Sequence, residues 1–436
     1  MIASLAETTP MPLWTVIPFA GLLLSIAILP LVAEHWWHSN RNKAVVAAIF
    51  GLPTAAYVAV KDVHALQHTG LEYVAFIALL GSLYVISGNI RLKGSLAGTP
   101  LGNTAVLAVG AVLANFVGTT GAAMLLIRPF LRANRRRRRR AHLVVFFIFI
   151  VANCGGCLTP LGDPPLFLGF LRGVPFQWTL GLWAPWLMVV GALLAIFNVL
   201  DQRLFHKEDV EASKVDLDEE VEHHQKLGLE GGYNLLFLLG VIGAVLASGF
   251  VVHRRFGETA ALLFQACVMA VMAILSFKLT PAEVRKKNDF SWHPIEEVVI
   301  LFAGIFAAMI PALDVLKAHG DALAVRLPWQ YFWATGSLSA FLDNAPTYLA
   351  FVSLGQGAGV VPAELSQVGS NAILKAIACG AVFMGAMTYI GNGPNFMVKA
   401  IAEHAGVKMP SFFGYMAWSA GILLPVLVAA TLLFFR

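Results

Sequence analysis

The sequence predicts an all-α polytopic membrane protein: two inverted structural repeats, about ten transmembrane helices, two re-entrant hairpins and two broken helices. Three observations carry that expectation. First, of 436 residues 58% are hydrophobic and 13% charged, where a soluble domain carries about a quarter charged. Windows of about 20 residues almost without charge recur, the length a helix needs to cross a bilayer. The strict alternation of a membrane barrel is absent. Second, one polar stretch occurs twice. Thr159–Phe167 and Thr388–Phe396 share Thr-x-(Leu/Ile)-Gly-(Asp/Asn)-x-Pro-x-Phe at an offset of 229 residues. Third, Thr119 and Thr347 stand at an offset of 228, and Gly173-Val174 is echoed by Gly406-Val407, so both halves run helix, helix, hairpin, broken helix, helix.

Residues 1–40 hold the first spanning helix, from about Pro12 to Ala33. It lacks a basic leader and runs into Trp36 and Trp37, which speaks against a signal peptide. Repeat 1 occupies 41–200, with helices Lys43–Val60 and Leu71–Gly88, a hairpin over 101–131, a broken helix over 142–172 and a helix Trp178–Leu200. The hairpin is expected because Asn115-Phe116-Val117-Gly118-Thr119-Thr120-Gly121 interrupts an apolar stretch whose halves, about 14 residues each, are too short to span. The helix break is expected because Asn153–Phe167 holds three Gly, three Pro and Asp163, which cannot continue an α-helix.

Residues 201–232 carry ten acids and four bases and read as a cytoplasmic linker. Repeat 2 occupies 233–436: helices Tyr233–Val252, Glu258–Phe277 and about Pro294–Leu313, then a hairpin over 328–354. Its tip is Asp343-Asn344-Ala345-Pro346-Thr347, and a broken helix over 371–404 and a helix Phe412–Phe435 follow. The eight arginines from Arg128 to Arg140 place their loop in the cytoplasm. Counting crossings from there puts both termini outside and makes the halves antiparallel, with Arg254 and Arg255 as exceptions on the outer side.

Where a helix stops and restarts inside a membrane, its bared carbonyl and N–H ends can coordinate ions. Gly155, Gly156, Gly162, Gly391 and Gly393 let the backbone approach closely there. Thr159, Asp163, Thr388, Asn392 and Asn395 add side-chain oxygens at the breaks, and Asn115, Thr119, Thr120, Asp343, Asn344 and Thr347 add them at the hairpin tips. Such a set suits a hard cation, with Na⁺ expected at Asp163 and Thr159. Asp163 and Asp343 are the acids in the middle of apolar segments, one per half. Competition of H⁺ and Na⁺ for such a carboxylate gives exchange directly. The alternative for Asp163 is a cap on the half-helix that begins at Pro164.

Other features read blandly. Cys154 and Cys157 form the one C-x-x-C, with no second pair for zinc, and read as small packing residues. The arginine run reads as a topology signal near anionic lipid, not a nucleic-acid site. Glu34-His35-Trp36-Trp37-His38 reads as an interfacial belt, and Glu72, Glu296 and Glu297 as interfacial acids near helix ends. No Walker A motif and no nucleophile–base pairing occurs, so neither ATP-driven transport nor an enzyme is expected. No organic cofactor is expected; Na⁺ and H⁺ enter as transported or coupling ions.

The hairpin tips and the Thr159-Pro160-Leu161-Gly162-Asp163 break resemble the ion-transporter superfamily over about residues 40–436. That group includes D-type Na⁺/H⁺ antiporters, arsenite pumps, and citrate and dicarboxylate carriers. The break looks most like the antiporter branch and its relatives named for citrate transport. The resemblance implies a homodimer in the inner (plasma) membrane, with a fixed scaffold and a transport part that carries the site across in an elevator-like step. Dicarboxylate carriers of the group bear Ser-Asn-Thr at both tips, and this chain does not. The expectation is a Na⁺(or Li⁺)/H⁺ antiporter; the alternative is a cation-coupled citrate or dicarboxylate transporter.

Overall fold

The computed structural model describes residues 11–93, 98–212 and 228–436. Among these, nine helices are long and apolar enough to cross a membrane by length and composition, with shorter apolar helices between them. The chain is an all-α polytopic membrane protein.

After a tight turn at Leu13–Val16 come α1 (Ile17–Val32), α2 (Glu34–Trp37), α3 (Asn40–Lys61) and α4 (Val63–Gly88). Helix α4 starts eight residues before the expected Leu71. Asp62 caps it by accepting the Ala65 N–H at 2.9 Å, and Gly70 inside it costs only about 1 kcal/mol. Glu72 is therefore not near a helix end. It is buried within α4, where Arg172 donates to both of its oxygens at 3.2 and 3.1 Å.

The apolar run α5 (Pro100–Ala133) folds back on itself. Gly118 has φ 75° and ψ 157°, a backbone conformation suited to glycine alone. On either side of it the arms run together. Gly110 lies against Leu126, and at the open end Asn103 and Asn134 exchange amide hydrogen bonds of 2.9 and 2.8 Å. Its 34 residues satisfy the length criterion for a span, yet they are two short arms. A second antiparallel pair is α14 (Pro328–Ser339) and α15 (Asn344–Gly357), with the Tyr331 and Phe351 rings edge to face at 6.4 Å.

Two helices are interrupted. Helix α6 (Ala141–Ile150) gives way to a 3-10 turn at Cys154–Cys157 before α7 (Pro164–Leu171). Between them and the next interruption lie α8 (Trp183–Ala212), α9 (Asn234–Ala247), α10 (His253–Phe256), α11 (Glu258–Leu279), α12 (Ala282–Lys287) and α13 (His293–His319). Then α16 (Ala372–Met384) stops before α17 (Gly393–His404), and α18 (Phe412–Trp418) and α19 (Leu424–Phe434) close the chain. Both α7 and α17 end alike: the Val174 and Val407 N–H groups turn back to the carbonyls of Gly169 and Ala402 at 3.0 and 2.9 Å.

Two expectations about 201–232 change. Helix α8 continues through Ala212, and Asp201 is fully buried in place of opening a solvated linker. Residues 213–227 lie outside the described residues. Beyond them β2 (Gly228–Glu230) pairs antiparallel with β1 (Arg91–Lys93), Arg91 opposite Glu230. Glu230 accepts from Arg91 at 2.9 Å and pairs with Lys93 at 2.5 Å.

In the packing, α3 lies on α13 and α4 on α11. Lys43 and Glu297 pair at 2.7 Å along the first contact, and Asn40 reaches Glu296 at 3.2 Å. Helix α5 lies on α17, α15 on α7, and α14 on α16. Helices α5 and α15 thus pack on the interrupted helix of the other half while α14 packs on that of its own, and α6 is shut inside with every residue from Leu143 to Ala152 at 0% exposure.

Candidate functional site

The two breaks are built alike. In the first, a Cβ added to Gly162 would lie 2.1 Å from the Gly156 carbonyl oxygen. In the second, one added to Gly391 would lie 2.6 Å from the Gly385 carbonyl oxygen. Each threonine of the shared motif then serves a hairpin of its own half. Thr159 Oγ1 donates to the Asn115 carbonyl in the last turn of the first arm of α5. Thr388 Oγ1 donates to the Ala340 carbonyl at the end of α14, at 2.5 Å. Carbonyls at helix ends lack intrahelical donors, and these hydroxyls supply them.

Asp163 stands before α7 at 1% exposure. Its carboxyl does not cap that helix; it turns away, toward three other elements. Thr119 Oγ1, beyond the tip of α5, donates to Oδ1 at 2.9 Å, and Asn392 Nδ2, in the second break, donates to Oδ1 at 3.2 Å. Asn344 Nδ2, at the start of α15, donates to Oδ2. The Thr119 N–H also holds the Gly162 carbonyl at 2.8 Å. Among the described residues no Lys, Arg or His pairs with Asp163. Asn344 is fully buried, and its Oδ1 has no hydrogen-bond partner.

A second network ties the breaks to each other. Asn153 Nδ2 donates to Asn395 Oδ1 at 2.6 Å, and Asn392 Nδ2 donates to Asn153 Oδ1 at 3.1 Å. Asn395 Nδ2 reaches the Gly385 and Thr388 carbonyls at 2.8 and 2.9 Å. Asn115 glues hairpin to break: its Nδ2 donates to the Gly155 carbonyl at 2.8 Å and its Oδ1 accepts the Leu158 N–H at 2.7 Å.

The structure thus gathers Asp163, Thr119, Asn344 and Asn392 in one cluster, with the Asn395 side chain joined to it through Asn153. It places other expected residues elsewhere. The Thr159 proton goes to Asn115. Asp343 is the capping acid, accepting the Ala345 N–H at 3.1 Å. Thr347 bonds back to the Asp343 carbonyl at 2.8 Å, and Thr120 joins none of these bonds. Gly393 opens α17 with free space around it. Sequence reasoning missed Asn153 and Gly385 as site residues. Gly385 stands at the same 229-residue offset from Gly156 as the shared motif and could have been found that way. Cys154, Cys157 and Cys379 are buried free thiols, and no group of metal-binding side chains occurs among the described residues.

A different buried carboxylate lies at the open end of α5. Asp201, 0% exposed, accepts from Arg137 and, at 2.9 Å each, from His142 Nε2 and Asn103 Nδ2.

The model of a family described as "putative citrate transport" matches residues 8–435. Uncharacterized transporters of Mycobacterium bovis and Mycobacterium tuberculosis are each 25% identical over 398 residues, which cover 85% of this chain and 88% of the relative. The chain is similar to membrane transporters.

Proposed function

The chain belongs to this citrate-transport family, and on that premise we propose that it is a secondary transporter exchanging Na⁺ or Li⁺ for H⁺ at Asp163. The observation that carries this reading is the Asp163 cluster: a carboxyl at 1% exposure, held by three neutral donors and by no basic side chain. A buried charge needs a compensating partner. Here the partner is mobile, a proton or a small cation, and competition between them couples their fluxes. The unpartnered Asn344 Oδ1 supports the cation half of the exchange, since it offers an acceptor beside the carboxylate.

The two halves form an inverted repeat. The transport part comprises α5–α7 and α14–α17, the scaffold comprises α3, α4, α11 and α13, and the protein works as a homodimer in the inner membrane with both termini outside. An elevator-type step carries the cluster across. The packing of α5 on α17 and of α15 on α7 supports a transport part that moves as one body.

A second reading has its own support. The N-termini of α7 and α17 carry no side-chain cap, and such ends favour an anionic group. Together with the family description this supports cation-coupled uptake of citrate or another carboxylate. Purified protein in liposomes with a trapped pH dye separates the two. Exchange predicts proton release on Na⁺ or Li⁺ pulses without any organic anion, abolished by Asp163→Asn. Ion flux that appears only with citrate establishes the second reading and removes the first.

A further inference from the structure

Away from the Asp163 cluster, a cavity of about 660 Å³ opens where α5 and α17 end. Arg128 and Arg132 line it from the second arm of α5, Arg135 and Arg140 from the following loop, and Lys287 from the end of α12. Asp289 and His404 complete the lining, and Lys287 also approaches Glu230 at 3.9 Å and Glu283 at 4.0 Å. The cavity is far from the ion site: Arg128 lies nine residues beyond Thr119, about 14 Å along a helix axis.

We propose that this cavity binds a small oxyanion of charge two or more, and that the bound anion bridges α5 and α17 to the connection between α12 and α13. The shared chemistry is that of di- and tricarboxylates, inorganic phosphate and the phosphate of an anionic lipid headgroup. Three of the guanidinium heads are already positioned. Arg132 Nη2 is tied to the Leu92 carbonyl at 3.1 Å, and Arg140 Nη2 to the Gly406 carbonyl at 2.9 Å. Arg128 approaches Asp289 through Nε at 3.4 Å, yet its Nη1 is buried with no acceptor. A buried guanidinium N–H without an acceptor is costly, and an oxyanion in the cavity supplies one. Planar guanidinium groups fit carboxylate and phosphate oxygens in pairs. The volume falls in the range of small-molecule sites, about 300–1,000 Å³. Helix α5 also carries Thr119 of the ion site, and α17 begins directly after Asn392, so a bridging anion holds the transport part in one position and slows exchange. The binding site itself does not depend on which ion is exchanged.

The test uses the full chain in nanodiscs of neutral phosphatidylcholine. Citrate and inorganic phosphate are titrated by calorimetry against chloride at matched ionic strength. The expected result is saturable binding of citrate or phosphate but not of chloride, weakened about tenfold or more by Arg128→Gln and by Arg132→Gln. Lys287→Gln, half exposed on a different element, weakens it as well and guards against a folding artefact in α5. Asp163→Asn leaves it intact. A parallel set of nanodiscs contains anionic lipid: if that lipid abolishes citrate and phosphate binding, and does so only with the arginines present, the occupant is a headgroup phosphate. The proposal is overturned if neither soluble anion nor anionic lipid engages the arginines, if binding survives Arg128→Gln and Arg132→Gln, or if Asp163→Asn removes it.

Discussion

Asp163 and Asp201 are both shut away from solvent, 1% and 0% exposed, yet their partners differ in kind. Asp201 is met by the Arg137 guanidinium and the His142 ring. Its charge is neutralised on the spot, and with the Asn103–Asn134 pair it locks the open end of α5 to α6 and α8. Asp163 is met only by a hydroxyl and two amides. These orient the carboxyl and cancel no charge. A carboxylate with a fixed cation is framework, and one with only dipoles around it leaves its charge to a mobile partner.

The largest expected effects test that contrast. Asp163→Asn abolishes ion-driven proton flux in liposomes but shifts unfolding by only about 1 kcal/mol, because the Asn344 carboxamide can present its unpartnered oxygen to the new amide. Asp201→Asn does the reverse. It removes the carboxylate to which Arg137 and His142 bond and costs about 1.5–3 kcal/mol, read as a lowered unfolding midpoint in detergent, while folded protein keeps its coupling. If Asp201→Asn removes coupling at unchanged stability, the contrast between the two carboxylates is wrong.

A smaller effect sharpens the geometry of the break that aims Asp163. Gly162→Ala places a methyl 2.1 Å from the Gly156 carbonyl oxygen and costs about 1–3 kcal/mol by overpacking. Gly393→Ala, with nothing within 4 Å of the new methyl, changes stability by less than about 0.5 kcal/mol. A loss at Gly162→Ala as small as that expected at Gly393→Ala would show that the break tolerates side chains throughout.

The smallest effect concerns Glu230, an acid outside the membrane with the same kind of pairing as Asp201. Lys93 and Arg91, which bond to it, pull its carboxyl down to about 2. The folded value lies below the ordinary 4.5, so its contribution is complete above that value and is lost as pH falls toward about 2. The protection of the Arg91–Lys93 amides, measured relative to their intrinsic exchange rates, should therefore hold at neutral pH and fall only on strong acidification; a loss of protection already near pH 6 would rule out the Glu230 clamp.

The parts legible in the sequence were those written twice or marked by glycine and proline. The two breaks, the Gly118 turn and the Thr119 and Asn344 tips stood out because polar residues in apolar stretches are costly. Asn153 was overlooked because its counterpart at the motif offset is Val382, so the repeat gives it no echo. Asp201 sits where apolar sequence turns acidic, and composition alone assigns such a residue to solvent. The pairing of Glu72 with Arg172 and of β1 with β2 spans 100 or more residues and leaves no local pattern. The helix expected from Leu71 begins at Val63, where Asp62 caps it.

The asparagine bridge between the breaks has a bearing on how such a chain can change over time. Asn153 belongs to one half and Asn392 and Asn395 to the other, joined by amide hydrogen bonds of 3.1 and 2.6 Å. Neither half can drift alone at these positions without stranding a buried amide in its neighbour. A gene fusion that takes one half from this chain and the other from a distant relative would inherit half of a handshake. Recombination between relatives should succeed only where these three positions travel together.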